Sequence, residues 1–381
     1  MKIDVMTKDK DIKTTVPTLR FREFQNDARW IPNKIDHVCK IGNGRDYKHL
    51  SAGNIPVYGS GGYMTSVDKF LYDGESVCIG RKGTIDKPIF LTGKFWTVDT
   101  LFYTYAFHKC LPKFLYLIFQ QINWYKYNEA GGVPSLLKTT IGNINIFIPN
   151  NENEQKKIVD CFSSLDDLIN AVADKIETLK EYKKGLMQQL FPAEGKTTPA
   201  FRFPEFQNKR EWEESTLGDI CDMQAGKFVS ASEICDVKKD TMYPCYGGNG
   251  LRGYTHSFTH FGIYPLIGRQ GAQCGNITYA EGKFHATEHA VVVTLKKDID
   301  IRWLYYQLIK LNLNQYATGQ AQPGLSVDVI KKVTIRIPKN KNEQQLIACG
   351  LFSVDELIST ETAKLDQLKA HKKGLMQQLF P

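Results

Sequence analysis

The decapeptide KKGLMQQLFP stands at residues 183–192 and again, unchanged, at 372–381. It is the end of a longer copy, because residues 151–192 and 340–381 agree at 22 of 42 positions. The beginnings agree as well: RFREFQN at 20–26 with Trp30 answers RFPEFQN at 202–208 with Trp212. Between these ends only landmarks survive. Pro56, Tyr58 and Gly59 match Pro244, Tyr246 and Gly247, and Ile79, Gly80, Arg81 and Gly83 match Ile267, Gly268, Arg269 and Gly271. The chain is therefore one unit written twice, with a variable body and a nearly constant tail in each copy, and any fold it adopts has to be built twice.

The tails predict long helices. In the first, Ile158, Leu165, Val172, Leu179 and Leu186 recur every seven residues, and Phe162, Ile169, Ile176, Lys183 and Leu190 fill the alternate seam position. The second repeats the seam with Ile347, Val354, Glu361, Leu368 and Leu375, and with Leu351, Ile358, Leu365, Lys372 and Leu379. Such a heptad pattern marks helices that pack on each other, and the matched polar breaks at Lys183 and Lys372 argue that the two seams face one another. Each helix starts near NENEQ or NKNEQ and ends before Phe-Pro, where proline cannot continue it.

The bodies have a different texture. They are rich in Gly, Tyr, Phe and Thr, and runs such as SVCIG, KPIFLTG, NINIFIP, AVVVTL and VTIRIP read as strands between turns. One helical stretch is expected in each, PKFLYLIFQQINWY and IRWLYYQLIKLNLNQY. The fold class is thus α+β: two mixed α/β domains separated by two long antiparallel coiled-coil helices, with a pseudo-two-fold internal repeat. The boundaries expected are an N-terminal segment 1–16, a first body 17–150, a first spacer helix 151–192, a linker 193–197, a second body 198–339 and a second spacer helix 340–381. A helix of this length spans roughly 55 Å at 1.5 Å per residue, so a dumbbell with a rigid spacer is expected.

Function classes narrow next. No run of 18 apolar residues occurs, and MKIDVMTKDK has no apolar stretch after its charges. A membrane span and a secretory signal are not expected, and the cytoplasm is the default compartment. Nine cysteines are scattered with no CxxC spacing, which suits reduced structural thiols. The net charge of +8 is modest, but its distribution is informative. The bodies carry +6 and +3, while the helices with their linker are close to neutral. Two basic bodies on a spacer suit contact with a phosphate backbone at two separate places.

Catalytic signatures are missing from the sequence. There is no GxxxxGK[ST] loop, no HExxH, GxSxG or GxGxxG, and no Asn-Pro-Pro-aromatic tetrapeptide of an adenine amino-methyltransferase. Glu194 and Lys196 have the Glu-x-Lys spacing of some metal-dependent nucleases but lie in the linker AEGK. His256, His260, His285 and His289 cluster in the second body without counterpart pairs in the first, so neither set is read as a metal or active site. The candidates left are Gly-rich segments carrying basic and aromatic residues: IPVYGSGGYMTS and IGRKGTIDK in the first body, YPCYGGNGLRGYT and IGRQGAQCGN in the second. Glycine lets backbone N–H groups and a neighbouring arginine come close to a phosphate or base edge. The DNA-contact candidates are Tyr58, Tyr63, Arg81 and Lys82, and Tyr246, Asn249, Arg252, Arg269 and Gln270. Arg pairs naturally with guanine and Gln with adenine, while Lys more often holds phosphate. Lys183, Leu186, Lys372 and Leu375 are candidates for seam or partner contacts.

A duplicated unit with FxEF at each body start, Ile-Gly-Arg-x-Gly within, and a proline-to-Glu-Gln step (Pro149 to Gln155, Pro338 to Gln344) into a helix ending GLMQQLFP resembles the specificity subunit of type I restriction-modification systems. The resemblance implies two target-recognition domains, each reading one half of a split, asymmetric site in double-stranded DNA, and a helix length that sets the unread gap. It also implies a non-catalytic chain that binds no cofactor. The complex would be a site-specific deoxyribonuclease and adenine-specific DNA methyltransferase, in which two methyltransferase subunits and restriction/translocase subunits use S-adenosylmethionine, ATP and Mg2+. Two alternatives stay open at this point: a coiled-coil scaffold joining two protein-binding modules, and a stand-alone DNA-modifying enzyme.

Overall fold

The computed structural model describes residues 14–271, 273–319 and 323–381, so most of the N-terminal segment 1–16 lies outside the described residues. The chain divides into two compact units, Met1–Val172 with Lys364–Pro381, and Ala173–Ala363. Each unit therefore contains one body, part of its own tail helix and part of the other one.

The two long helices are Glu152–Leu190 and Lys341–Leu379, 39 residues each. They begin where an asparagine turns its side chain onto the first turn: Asn151 Oδ1 accepts from the Asn153 N–H at 3.0 Å and Asn340 Oδ1 from the Asn342 N–H at 2.9 Å. Acidic residues in that turn suit the positive end of the helix dipole. Within the first unit the helices run antiparallel, since Asp166 meets the Lys372 ammonium while Phe162, a turn earlier, lies 6.3 Å from the Phe380 ring. In the second unit Lys175 pairs with Glu361 and Lys183 with Asp355, again with opposite chain directions. The seam residues Ile158, Phe162, Val172, Ile176 and Leu190 are buried, as are Ile347, Leu351, Val354 and Leu379.

Both bodies are woven to one plan. In the first, Ile31–Lys34 pairs with Asn145–Ile148 beside the helix start. A four-stranded sheet has the order Lys40–Asn43, Leu101–Tyr105, Ser76–Gly80, Ile89–Leu91, and a second has the order Gly62–Val67, Ala52–Gly59, Lys94–Thr97, Tyr72–Asp73. In the second body Glu213–Thr216 pairs with Thr334–Ile337. There the counterparts of both sheets join into one of six strands: Cys221–Ala225, Ala290–Leu295, His260–Gly268, Ile277–Ala286, Tyr243–Gly247 and Gly250–Thr255. Ile277–Ala286 is continuous and bridges the two halves, whereas its counterpart is interrupted between Ile89–Leu91 and Lys94–Thr97, although Gly93 and its counterpart Gly282 both hold a positive φ, +71° and +79°. In both bodies the hairpin strand pairs in parallel with the end of this segment, at Val57–Trp96 and Tyr58–Thr97 and at Cys245–His285 and Tyr246–Ala286.

The five apolar runs singled out in the sequence all contain strands. The helical stretches are shorter than expected. Each breaks into an α-helix, Pro112–Phe119 or Ile301–Lys310, and a separate 3-10 turn, Trp124–Tyr127 or Leu313–Tyr316. In the second body the break falls at Asn312, held in the left-handed region at φ 46°, which ends a helix as a C-terminal cap does. The larger cores sit where body meets helix: Trp30, Phe114 and Phe380 in one unit, Trp212, Trp303 and Phe191 in the other.

Candidate nucleic-acid interface

The repeated residues at the start of each body and helix form one buried clamp. Arg20 lays its Nε and Nη2 on the two carboxylate oxygens of Glu154, both at 2.7 Å, and its other N–H groups on the carbonyls of Asp27 and Ala28. The Trp30 indole N–H donates to the same carboxylate at 3.1 Å. Arg202, Glu343 and Trp212 repeat this at 2.8, 2.9 and 3.1 Å. The neighbouring Gln155 bonds Lys109, Leu111 and Pro149 of its body, and Gln344 bonds Asp300 and Pro338. A bidentate arginine pair of this kind fixes orientation as well as distance, so each body is held rigidly on the start of its helix. The pair with Glu154 also raises the already high Arg20 pKa, hydrogen bonding outweighing burial.

In each body, three backbone segments also gather around one short connection. In the second unit that connection is Ala286–His289. The Lys227 N–H donates to the Ala286 carbonyl at 2.8 Å, the Thr287 N–H to Tyr246 at 2.9 Å, and the Arg269 N–H to the His289 carbonyl at 2.9 Å. In the first unit Thr97–Thr100 takes the same part. Arg45 donates to Thr97 at 2.8 Å, Val98 to Tyr58 at 2.9 Å, and Arg81 and Lys82 to Thr100 at 2.8 and 3.3 Å. Glycines make the approach possible. A Cβ on Gly268 would lie 2.0 Å from the Gly248 carbonyl oxygen, and one on Gly80 would lie 2.0 Å from that of Thr84. Gly44 and Gly226 are likewise pressed on the carbonyls of Val98 and Ala286.

The structure thus brings the two Gly-rich segments of each body together. Arg81, Lys82, Arg269, Gln270, Asn249 and Arg252 are exposed, while Tyr58 and Tyr246 are half-buried. The Arg81 guanidinium lies 6.0 Å from the centre of the Phe102 ring, within cation–π range. Tyr63, 63% exposed, sets its ring edge-on to Tyr58 with 6.1 Å between centroids. Tyr246 stacks edge-on with Phe284, and burial pushes its phenol pKa up, leaving a neutral hydroxyl. Gln270 bridges to Gly324. The seam candidates lie elsewhere: Lys183 holds both Asp355 oxygens at 2.6 and 2.7 Å, Lys372 holds Asp166, and Leu186 and Leu375 pack against the cores of the second and first units.

Three features escaped the sequence reading. The exposed residues Arg45 and Lys227 join the connection through their backbone N–H groups, and Phe228 next to Lys227 is 75% exposed. A third segment, Pro134–Leu136 in the first body and Pro323–Leu325 in the second, backs the arginine loop through Gly83 and Leu136 or Gly271 and Leu325. Pro134 and Leu136 match Pro323 and Leu325 in the same 189-residue register as the tails, which is the signal that could have found it.

The family model described as type I restriction modification DNA specificity domain matches this chain twice, over residues 28–181 and 209–370. The chain belongs to the type I restriction modification DNA specificity family. The EcoprrI specificity subunit of Escherichia coli is 39% identical over 172 residues, 45% of this chain and 41% of that subunit. The alignment thus takes in less than half of that relative. The MjaVIII specificity subunit of Methanocaldococcus jannaschii is 27% identical, with 81% of this chain and 77% of that subunit covered. A crystal structure of the type I restriction-modification S subunit from M. genitalium shares the fold, with a TM-score of 0.72 at 19% identity over 96% of this chain and 99% of that one.

Proposed function

We propose that the chain is the DNA-reading subunit of a type I restriction-modification complex, each body reading one half of a split, asymmetric duplex site. The observation that carries this is the pair of loop clusters: the same backbone scaffold presents Arg45, Tyr63, Arg81 and Lys82 in one unit and Lys227, Asn249, Arg252, Arg269 and Gln270 in the other. An unchanged scaffold with changed side chains suits two modules that bind one kind of polymer and read different sequences. Lysines at the rim hold phosphate, and Arg and Gln between glycines reach base edges. Methylation of adenine and cleavage belong to partner subunits in this reading, with S-adenosylmethionine, ATP and Mg2+ bound there, and the soluble chain works in the cytoplasm. The two clamps keep each reading surface at a fixed angle to the helix on which a partner is seated.

Co-expression with a methyltransferase encoded beside it, followed by sequencing of methylated adenines, tests the reading. A bipartite motif with unlike halves is expected, and Arg269→Ala should relax the second half alone. Methylation without sequence preference, or equal loss in both halves, would refute it.

A further inference from the structure

The connection at the centre of each loop cluster carries an acid: Glu288 in Ala286–His289 and Asp99 in Thr97–Thr100. Both hold the same place. Glu288 is flanked by the Thr287 N–H bonded to Tyr246 and by the His289 carbonyl bonded to the Arg269 N–H. Asp99 lies between the Val98 N–H bonded to Tyr58 and the Thr100 carbonyl bonded to Arg81. Each acid therefore sits between the hairpin and the arginine loop of its own unit, with Arg269 on one side and the Arg252 hairpin on the other in the second. Asp99 is exposed. In Glu288 one oxygen lies 3.4 Å from His289 Nε2, while the other, Oε2, has no hydrogen-bond partner and is turned away from solvent. Its side chain is 36% exposed.

An acid at the centre of a basic surface is unfavourable against DNA unless a donor meets it, because the duplex carries one negative charge per roughly 1.7 Å. In the major groove the donors on base edges are the amino groups of cytosine and adenine. Adenine sets its N7 acceptor beside the amine, which repels a second carboxylate oxygen, whereas the cytosine edge presents the amine without it. We infer that Glu288 and Asp99 are specificity-determining residues, each accepting a hydrogen bond from the amino group of a cytosine in its own half-site. This rests on the DNA-reading function proposed above.

The test maps methylated sites for the assembled complex carrying the wild-type chain, Glu288→Gln or Asp99→Asn. The wild type should require a cytosine at one position in each half. Glutamine and asparagine, which offer a donor and an acceptor together, pair with adenine N6 and N7, so each variant should move that one position from cytosine towards adenine by about 5- to 150-fold. E288Q should act on the second half alone and D99N on the first alone. If the wild type methylates no bipartite site, the DNA-reading function itself fails. If it does but the variants keep every base preference, the inference on the two acids fails while that function stands. Loss of methylation at all sequences in both variants also overturns it, since it marks the acids as structural.

Discussion

Replacing Glu343 with alanine isolates what the clamp contributes. The carboxylate is almost fully buried, and it is the shared acceptor for Arg202 Nε at 2.8 Å, Arg202 Nη2 at 2.9 Å and Trp212 Nε1 at 3.1 Å. Its removal leaves a guanidinium of 9% exposure held only by the Lys209 and Arg210 carbonyls, and a buried indole N–H with no acceptor. Breaking a buried pair from one side costs about 3–5 kcal/mol, and the orphaned indole falls within that range because the losses are not additive. For a unit of this size each kcal/mol lowers the melting midpoint by about 2–4 °C, so a fall of roughly 6–20 °C is expected. Differential scanning calorimetry on the full chain should show it in one transition, and Glu154→Ala should produce the matching loss in the other unit. The double variant Arg202→Met with Glu343→Leu removes both charges and should recover most of the loss, since what destabilises is the unpaired charge rather than the absent pair. A shift below about 3 °C for Glu343→Ala, or a double variant as unstable as the single one, would refute the reasoning.

Gly268→Ala places a Cβ 2.0 Å from the Gly248 carbonyl and should part the arginine loop from the hairpin, at a cost of about 1–3 kcal/mol or more, abolishing reading of the second half-site in a methylation map while sparing the first. Brief alkylation at pH 8 followed by mass spectrometry should label exposed Cys349 first; burial pushes the thiols of Cys39, Cys78 and Cys221 up to about 12, so these should react only after unfolding. His260 stacks on Phe284 with ring centroids 5.4 Å apart, and burial, then the neighbouring His285 and Lys227, lower its pKa. The unfolded chain therefore takes up this proton first, and the stability His260 contributes above pH 6.5 is lost as pH falls through its lowered value. His260→Phe should flatten the denaturant-midpoint profile over that window, and an unchanged profile would remove His260 as its source.

The helices were legible because a seam of apolar residues every seven positions has one physical solution, and the Phe-Pro stop is local chemistry. Strand runs such as Ser76–Gly80 were legible for the same reason. What could not be read was anything built from distant residues. Arg20 and Glu154 are 134 positions apart, and nothing in either neighbourhood says that they meet, although both recur in the second copy as Arg202 and Glu343. The hub of each candidate surface was invisible for the opposite reason. Thr97–Thr100 and Ala286–His289 share no identical residue in the 189-residue register, because the hydrogen bonds that hold them come from backbone groups that any residue supplies. Tyr58, Arg81, Tyr246 and Arg269 stood out only because glycines flank them, and of those glycines Gly80 and Gly268 are pressed on a neighbouring backbone carbonyl.

The final turns of the two helices occupy matching seats. Phe380 stacks on Phe114 at 5.4 Å and meets Trp30 edge-on, and the Gln378 carbonyl accepts the Leu19 N–H. Phe191 meets Trp212 and Trp303 at 6.2 and 6.1 Å, and the Gln189 carbonyl accepts the Phe201 N–H. Since the decapeptide is identical in both places, a body needs only the aromatic socket to accept either end. Evolution can then trade whole recognition modules by recombination within the repeated stretch, altering what is read while every joint inherited from the parent still closes.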